Sequence, residues 1–210
     1  MKTSHSSEVG MFSSLMSRMM PMPAWIFLRE FMRDPGAVGA LCPSSGRLAE
    51  RIARQVDLSC EGWIVELGAG TGAVTAALLR HGVRPERLIV IERSGYMARH
   101  LRERFPQVRV IQGDAGEGEA LIQDYMPVAA VVSGLPLRSL PSDQVARLTL
   151  AWSRGLGPQV RVIQFTYALR GGSAWLAAGL TWMAHETVWG NLPPARVEVY
   201  TRTEAAAPPA

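Results

Sequence analysis

Trp63-Ile64-Val65-Glu66-Leu67-Gly68-Ala69-Gly70-Thr71-Gly72 is the stretch on which the reading of this chain depends. Trp63-Ile64-Val65 is a short apolar run, the three alternate glycines let the backbone turn tightly and approach a ligand, and residues 73–79 begin a helix. The pattern predicts a buried strand that hands over to a helix beneath a nucleoside. An ordinary strand-to-helix turn has the same outline, so the neighbourhood has to decide. Glu92 closes the apolar run Leu88-Ile89-Val90-Ile91 about 20 residues after Gly72, where a carboxylate can accept both hydroxyls of a ribose. Val108-Arg109-Val110-Ile111-Gln112 reads as a further strand, and Asp114 just beyond it suits the exocyclic amine of an adenine. A dinucleotide fingerprint needs wider glycine spacing, and Glu66 directly before the glycines would repel a pyrophosphate while suiting a cationic ligand.

A cationic nucleoside points to S-adenosylmethionine rather than to NAD. The remainder of the body supports an alternating α/β fold, with strands expected at 63–67, 88–92, 108–112, 128–133, 160–166, 185–189 and 196–202. Helices are expected near 72–81, 95–104, 117–125, 142–154 and 173–182. Gly190-Asn191-Leu192-Pro193-Pro194-Ala195 is too short for a right-handed crossover of about a dozen residues, so the last two strands must run antiparallel. The expected fold is α/β: a Rossmann-like, seven-stranded, mostly parallel sheet with one antiparallel strand at the end, preceded by an N-terminal helical arm. That is the architecture of class I methyltransferases.

The 210 residues, 48% of them hydrophobic, suffice for one catalytic domain, expected over 61–203, and an appendage. Residues 1–10 and 204–210 are too polar or too low in complexity to bury themselves and are expected to be disordered. Cys42 and Cys60 show no metal-ligand spacing, no metal is expected, and the default compartment is a reducing cytoplasm. No apolar run approaches the roughly 18–20 residues that span a bilayer, and no secretory pattern opens the chain. The net charge of +4 is carried almost wholly by arginine, whose planar fork pairs with phosphate; nucleic acid and anionic lipid both remain open on composition.

The arm, 11–60, begins with Met11, Phe12, Leu15, Met16, Met19 and Met20 at helical spacing, with Arg18 among them. Pro21 and Pro23 break it into two short helices. Such a mixture can lie in the interfacial plane of an anionic membrane, with Met11, Phe12, Leu15, Met16, Arg18 and Met19 in contact with lipid; packing over the cofactor site as a lid is the alternative. Ser44 or Ser45 is placed to cap the helix at 46–56, and either could instead face the cofactor's carboxylate.

After the fourth strand, Ser133-Gly134-Leu135-Pro136-Leu137 occupies the carboxyl end of the sheet, where open α/β folds place reacting groups. Enzymes that methylate an adenine amine carry a polar residue, proline and an aromatic ring there, and Leu137 cannot stack on a base. Together with Val38 to Ser45, Val65 to Gly72, Gln164-Phe165-Thr166-Tyr167 and Asn191-Leu192-Pro193-Pro194-Ala195, this segment resembles the soluble, peripheral phosphatidylethanolamine N-methyltransferases of bacteria, over about residues 25–202. The resemblance implies stepwise methylation of phosphatidylethanolamine towards phosphatidylcholine by a protein held at the inner face of the cytoplasmic membrane. It implies that Glu66 orients the cofactor's amino end, Glu92 its ribose and Asp114, with Ala115 beside it, its adenine, over a surface made by Gly68, Gly70 and Gly72. Arg93 either flanks the adenosine or forms a surface ion pair.

For the acceptor, backbone carbonyls of Ser133 and Leu135 could take the amine hydrogens. Tyr167 is the candidate cation–π wall for a methylated ammonium, with Phe165 and Trp182 behind it. A half-buried strand-end tyrosine and a core-helix tryptophan are the plainer readings. His100 and His185 are assigned structural or surface roles. The competing classes are a ribosomal RNA adenine methyltransferase, against which stand Leu137 and a chain expected to end too soon for the further helical domain of that group, and a non-catalytic membrane-binding protein. No nucleic-acid partner is therefore expected.

Overall fold

The computed structural model describes residues 46–167, 171–191 and 194–202. The expectations for the arm residues Met11, Phe12, Leu15, Met16, Arg18 and Met19, for Ser44 and Ser45, and for both chain ends lie outside these residues. Helix α1 (Gly46–Ala53) comes first, followed by β1 (Trp63–Leu67), α2 (Ala73–His81), β2 (Leu88–Glu92), α3 (Gly95–Arg104) and β3 (Arg109–Gln112). Then come α4 (Gly118–Ile122), β4 (Val128–Ser133), α5 (Ser142–Gly155), β5 (Arg161–Thr166), α6 (Ala174–Ala177), β6 (Thr181–Val188) and β7 (Ala195–Thr201).

One seven-stranded sheet runs in the order β3-β2-β1-β4-β5-β7-β6. The first five strands are parallel, and β7 is antiparallel to both β5 and β6. The central strands are near-continuous apolar runs because helices cover both faces. On one face Leu48, Ile52, Leu78 and Leu101 pack with Ile64, Val90 and Ile163; on the other, Leu148, Trp152 and Trp175 pack with Val65, Ile89 and Val162. The stretch 46–53, read with the arm, forms a layer of this core, with Leu48, Ala49, Ile52 and Ala53 buried. Helix α1 descends alongside the sheet. Arg47 lies against Gly190, Arg51 pairs with Glu186 at 2.7 Å, and the Gln55 carbonyl accepts from Arg161 at the start of β5.

The reversed strand is β7, as the short connection requires, but it sits between β5 and β6 and leaves β6 as the edge. The helix expected at 173–182 is a correction. Ser173 caps a single turn by accepting from the Trp175 amide, Gly179 turns the chain at φ +88°, and β6 begins at Thr181. Trp182 is therefore half-exposed on an edge strand, stacked on His185 with ring centroids 4.9 Å apart. Its register partner is Tyr200, which pairs with Val162 near the start of β5. Trp182 thus lies at the opposite end of the sheet from Tyr167 and does not back it. Among the described residues, no helix is long and apolar enough to cross a membrane.

Candidate active site

Gly68, Gly70 and Gly72 all have left-handed φ, at +69°, +55° and +80°, which an L side chain adopts only with strain. This loop and the one after β4 press together: the Gly134 amide donates to the Leu67 carbonyl at 2.8 Å, and a Cβ on Gly134 would stand 2.6 Å from the Gly68 carbonyl oxygen. A Cβ on Gly68 would meet Leu135 Cδ2 at 2.5 Å, whereas one on Gly70 would have no atom within 4 Å. The turn is braced on the sheet side and open outward at Gly70.

Glu92 faces that opening. Its Oε2 accepts the Gly70 amide at 3.0 Å and its Oε1 the Ser94 amide at 2.8 Å, so the carboxylate is fixed in orientation. Each oxygen keeps acceptor capacity for a hydroxyl. Glu66 is buried in β1; its Oε2 accepts from Thr75 Oγ1 at 2.7 Å, and its Oε1 has no partner among the described residues. Burial pushes its carboxyl up to about 7, against the opposing effect of the Thr75 hydroxyl and with a further push from the Glu92 charge. A buried carboxyl with one oxygen unsatisfied suits a cationic group. Together with the oriented Glu92 and the open face at Gly70, it fits a nucleoside bearing an ammonium.

Asp114 lies at the end of β3, where its Oδ1 accepts the Gly116 amide at 2.8 Å and its Oδ2 is 3.9 Å from Arg93 Nη1. Both side chains are largely exposed, so Arg93 forms the surface ion pair. Ala115 is buried, and its carbonyl accepts from Trp152 Nε1 at 2.8 Å, which pins the turn after β3 to α5.

On the acceptor side, Ser133 is buried at the end of β4, and its Oγ has no partner among the described residues. The Leu135 carbonyl is different. It accepts from the Leu137 amide at 2.9 Å and from Gln164 Nε2 at 2.9 Å, which fills both lone pairs. Its expected role as an acceptor of amine hydrogens is therefore corrected: Leu135 is held in place by the protein itself. Phe165 is buried beneath Tyr167, ring edge to face at 5.6 Å. Sequence reasoning assigned no role to Gln164, Thr75 or Trp175. Gln164 also donates to the Phe165 carbonyl at 2.8 Å and accepts from Trp175 Nε1 at 3.3 Å. A lone amide inside the apolar run Val162-Ile163-Gln164-Phe165 was the available signal, because a buried polar group must find partners. Beside it, Glu198 binds Arg196 and accepts from Tyr200 Oη at 2.6 Å, an alternating polar face buried where exposure would be the default reading.

Comparison with known proteins agrees with this geometry. A family described as a methyltransferase domain matches residues 64–159. An ornithine lipid N-methyltransferase of Singulisphaera acidiphila is 34% identical over 68% of this chain and 77% of that protein. A probable ribosomal RNA small subunit methyltransferase A of Halobacterium salinarum is 33% identical over 59% of this chain, which spans 42% of its length. Among solved structures, the TehB-like S-adenosylmethionine-dependent methyltransferase of Corynebacterium glutamicum superposes with a TM-score of 0.59 at 18% identity, over 87% of this chain and all of that one. The methyltransferase-domain match, the 34% identical lipid N-methyltransferase and the seven-stranded sheet with its glycine turn make the chain a member of the class I S-adenosylmethionine-dependent methyltransferases, with a lipid N-methyltransferase among its kin.

Proposed function

We propose that the protein methylates the amine of a membrane lipid: phosphatidylethanolamine and its monomethyl and dimethyl derivatives, towards phosphatidylcholine. The observation that carries this reading is the segment Ser133-Gly134-Leu135-Pro136-Leu137, which is largely apolar, braced against Leu67, Gly68 and Gln164, and carries no ring of its own to stack on a base. The 34% identity to an ornithine lipid N-methyltransferase supports a lipid amine and makes an ornithine lipid the second candidate substrate.

Gly68, Gly70, Glu66 and Glu92 would hold the cofactor, which when bound supplies an electrophilic methyl on a sulfonium sulfur. The chain's own work is positioning and desolvation. An alkylammonium has a pKa near 10, like lysine, and must lose a proton before its lone pair can attack; an apolar slot lowers the cost of that loss. Ser133 Oγ, buried without a partner among the described residues, would accept an amine hydrogen alongside the Ser133 carbonyl. Tyr167, braced by Phe165, would face the growing positive charge as methyl groups replace hydrogens. Arm residues Met11 to Met19 would seat the protein on the anionic inner face of the cytoplasmic membrane.

Mass spectrometry of lipids after incubation with S-adenosylmethionine tests the reading, with vesicles of phosphatidylethanolamine or ornithine lipid and with ribosomal RNA as separate substrates. Methyl and dimethyl phosphatidylethanolamine are expected. Methylation confined to ornithine lipid moves the substrate to the second candidate, and methylation of RNA alone overturns both. Deleting 11–22 is expected to abolish flotation with anionic vesicles; unchanged flotation would make the arm a lid.

A further inference from the structure

We infer that the turn Trp189-Gly190, with Arg47 behind it, is a second membrane-docking element, separate from the arm and built into the folded domain. The inference rests on the lipid reading above. Two exposed tryptophans flank β6, Trp182 near its start by 49% and Trp189 just beyond its end by 73%, so they stand at opposite ends of the sheet. Thr187 is level with Arg196, which is level with Thr166, so Val188 reaches the height of Tyr167 and Trp189 projects just beyond it. Only β7 lies between, so this corner is two strand spacings, about 10 Å, from the end of β5.

A lipid reaches the site from the carboxyl end of the sheet, so a bilayer must lie along that rim. The turn offers it the chemistry of a membrane interface. Trp189 is a large amphipathic ring with almost no cover, the kind of side chain that settles at headgroup depth. Arg47 is exposed at the start of α1, and its Nη1 would lie 2.8 Å from a Cβ on Gly190. Glycine at this position lets the Arg47 side chain close on the turn, which places a cation against the residue next to Trp189 for lipid phosphate. Helix α1 begins at this same corner, with Arg47 against Gly190, and descends towards the start of β5. Seated in a bilayer, the turn would hold the acceptor slot towards the lipid.

Flotation of the full chain with vesicles of phosphatidylethanolamine and phosphatidylglycerol, at two salt concentrations, compares wild type with W189A, W182A and R47Q. The expected result is a loss of vesicle affinity of about fivefold or more for W189A, a weaker salt dependence for R47Q, and no change for W182A. Affinity for S-adenosylmethionine should be unchanged in all three. Lipids brominated near the headgroup should quench emission in W182A and quench it less in W189A. If W189A binds and is quenched like wild type while wild type methylates the lipid, the docking turn is wrong and the lipid reading stands. If wild type neither binds nor methylates lipid, both fall. A dimer in light scattering that W189A converts to monomer would assign the turn to a second copy of the chain instead.

Discussion

The carboxylate of Glu92, at the end of β2, holds the amide of Gly70, at the outermost point of the glycine turn, at 3.0 Å. One side chain therefore shapes the loop, and in the proposed binding mode it also receives the ribose. Glu92→Ala should leave two amides without acceptors, lower stability by about 1 to 3 kcal/mol and weaken cofactor binding by at least about 100-fold. Calorimetry and thermal melts measure the two effects separately. Unaltered cofactor affinity in a folded variant would remove Glu92 from the ribose.

Glu66 gives the protein a pH signature. Its carboxyl titrates near 7 rather than at the usual 4.5, chiefly because it is buried. Between those values the folded chain keeps a proton that the unfolded chain has lost, so stability should fall as pH rises through that window, by about 3 kcal/mol at most. Glu66→Gln should flatten this slope. Pairing with the cofactor's ammonium favours the ionised carboxyl, so binding should release a proton near pH 6 and tighten towards pH 7. Calorimetry in buffers of different ionisation enthalpy reads that proton, and its absence would place the ammonium elsewhere.

Two glycine substitutions should separate folding from binding. Gly134→Ala drives a Cβ to within 2.6 Å of the Gly68 carbonyl oxygen, a backbone atom that cannot swing aside, and should cost stability, about 1 to 3 kcal/mol, and activity together. Gly70→Ala meets nothing within 4 Å and should cost only about 1 kcal/mol for its left-handed backbone, yet lose the cofactor. A Gly70→Ala protein that binds normally would show that the open face is not the ligand's.

Gln164 joins the acceptor loop to the end of β5 by donating to the carbonyls of Leu135 and Phe165. Gln164→Glu removes the donor and sets a carboxylate against two carbonyls. The expected outcome is a rise in KM for the lipid amine of about tenfold with cofactor affinity within about twofold, since the glycine turn is untouched. Equal losses for both substrates in steady-state kinetics would mean that the change acts through the whole fold.

The crest was legible in the sequence because its constraints are local. Glycines at alternate positions and acids at strand ends carry their geometry in their own chemistry, and β1 and β2 fall at 63–67 and 88–92 as expected. The far edge was not. Ala174 to Ala184 has the apolar density of a core helix, yet pairing with β7 draws Thr181 onward into a strand and exposes Trp182 and Met183. The Leu135 carbonyl looked available for a similar reason: its second partner, Gln164, lies 29 residues away. Polar groups buried in pairs, such as Glu198 with Tyr200, leave no periodicity that would announce them.

The place of β7 has a consequence for biosynthesis. It is made after every other described strand, yet it inserts between β5 and β6, supplying one of the two ladders of β5 and the whole ladder of β6. While the ribosome is still translating β6, that strand has no neighbour and the wall beside Tyr167 is unfinished. A nascent chain can assemble the cofactor half early but acquires its acceptor half only once synthesis has passed Thr201 and β7 has emerged, so the enzyme stays inert until then.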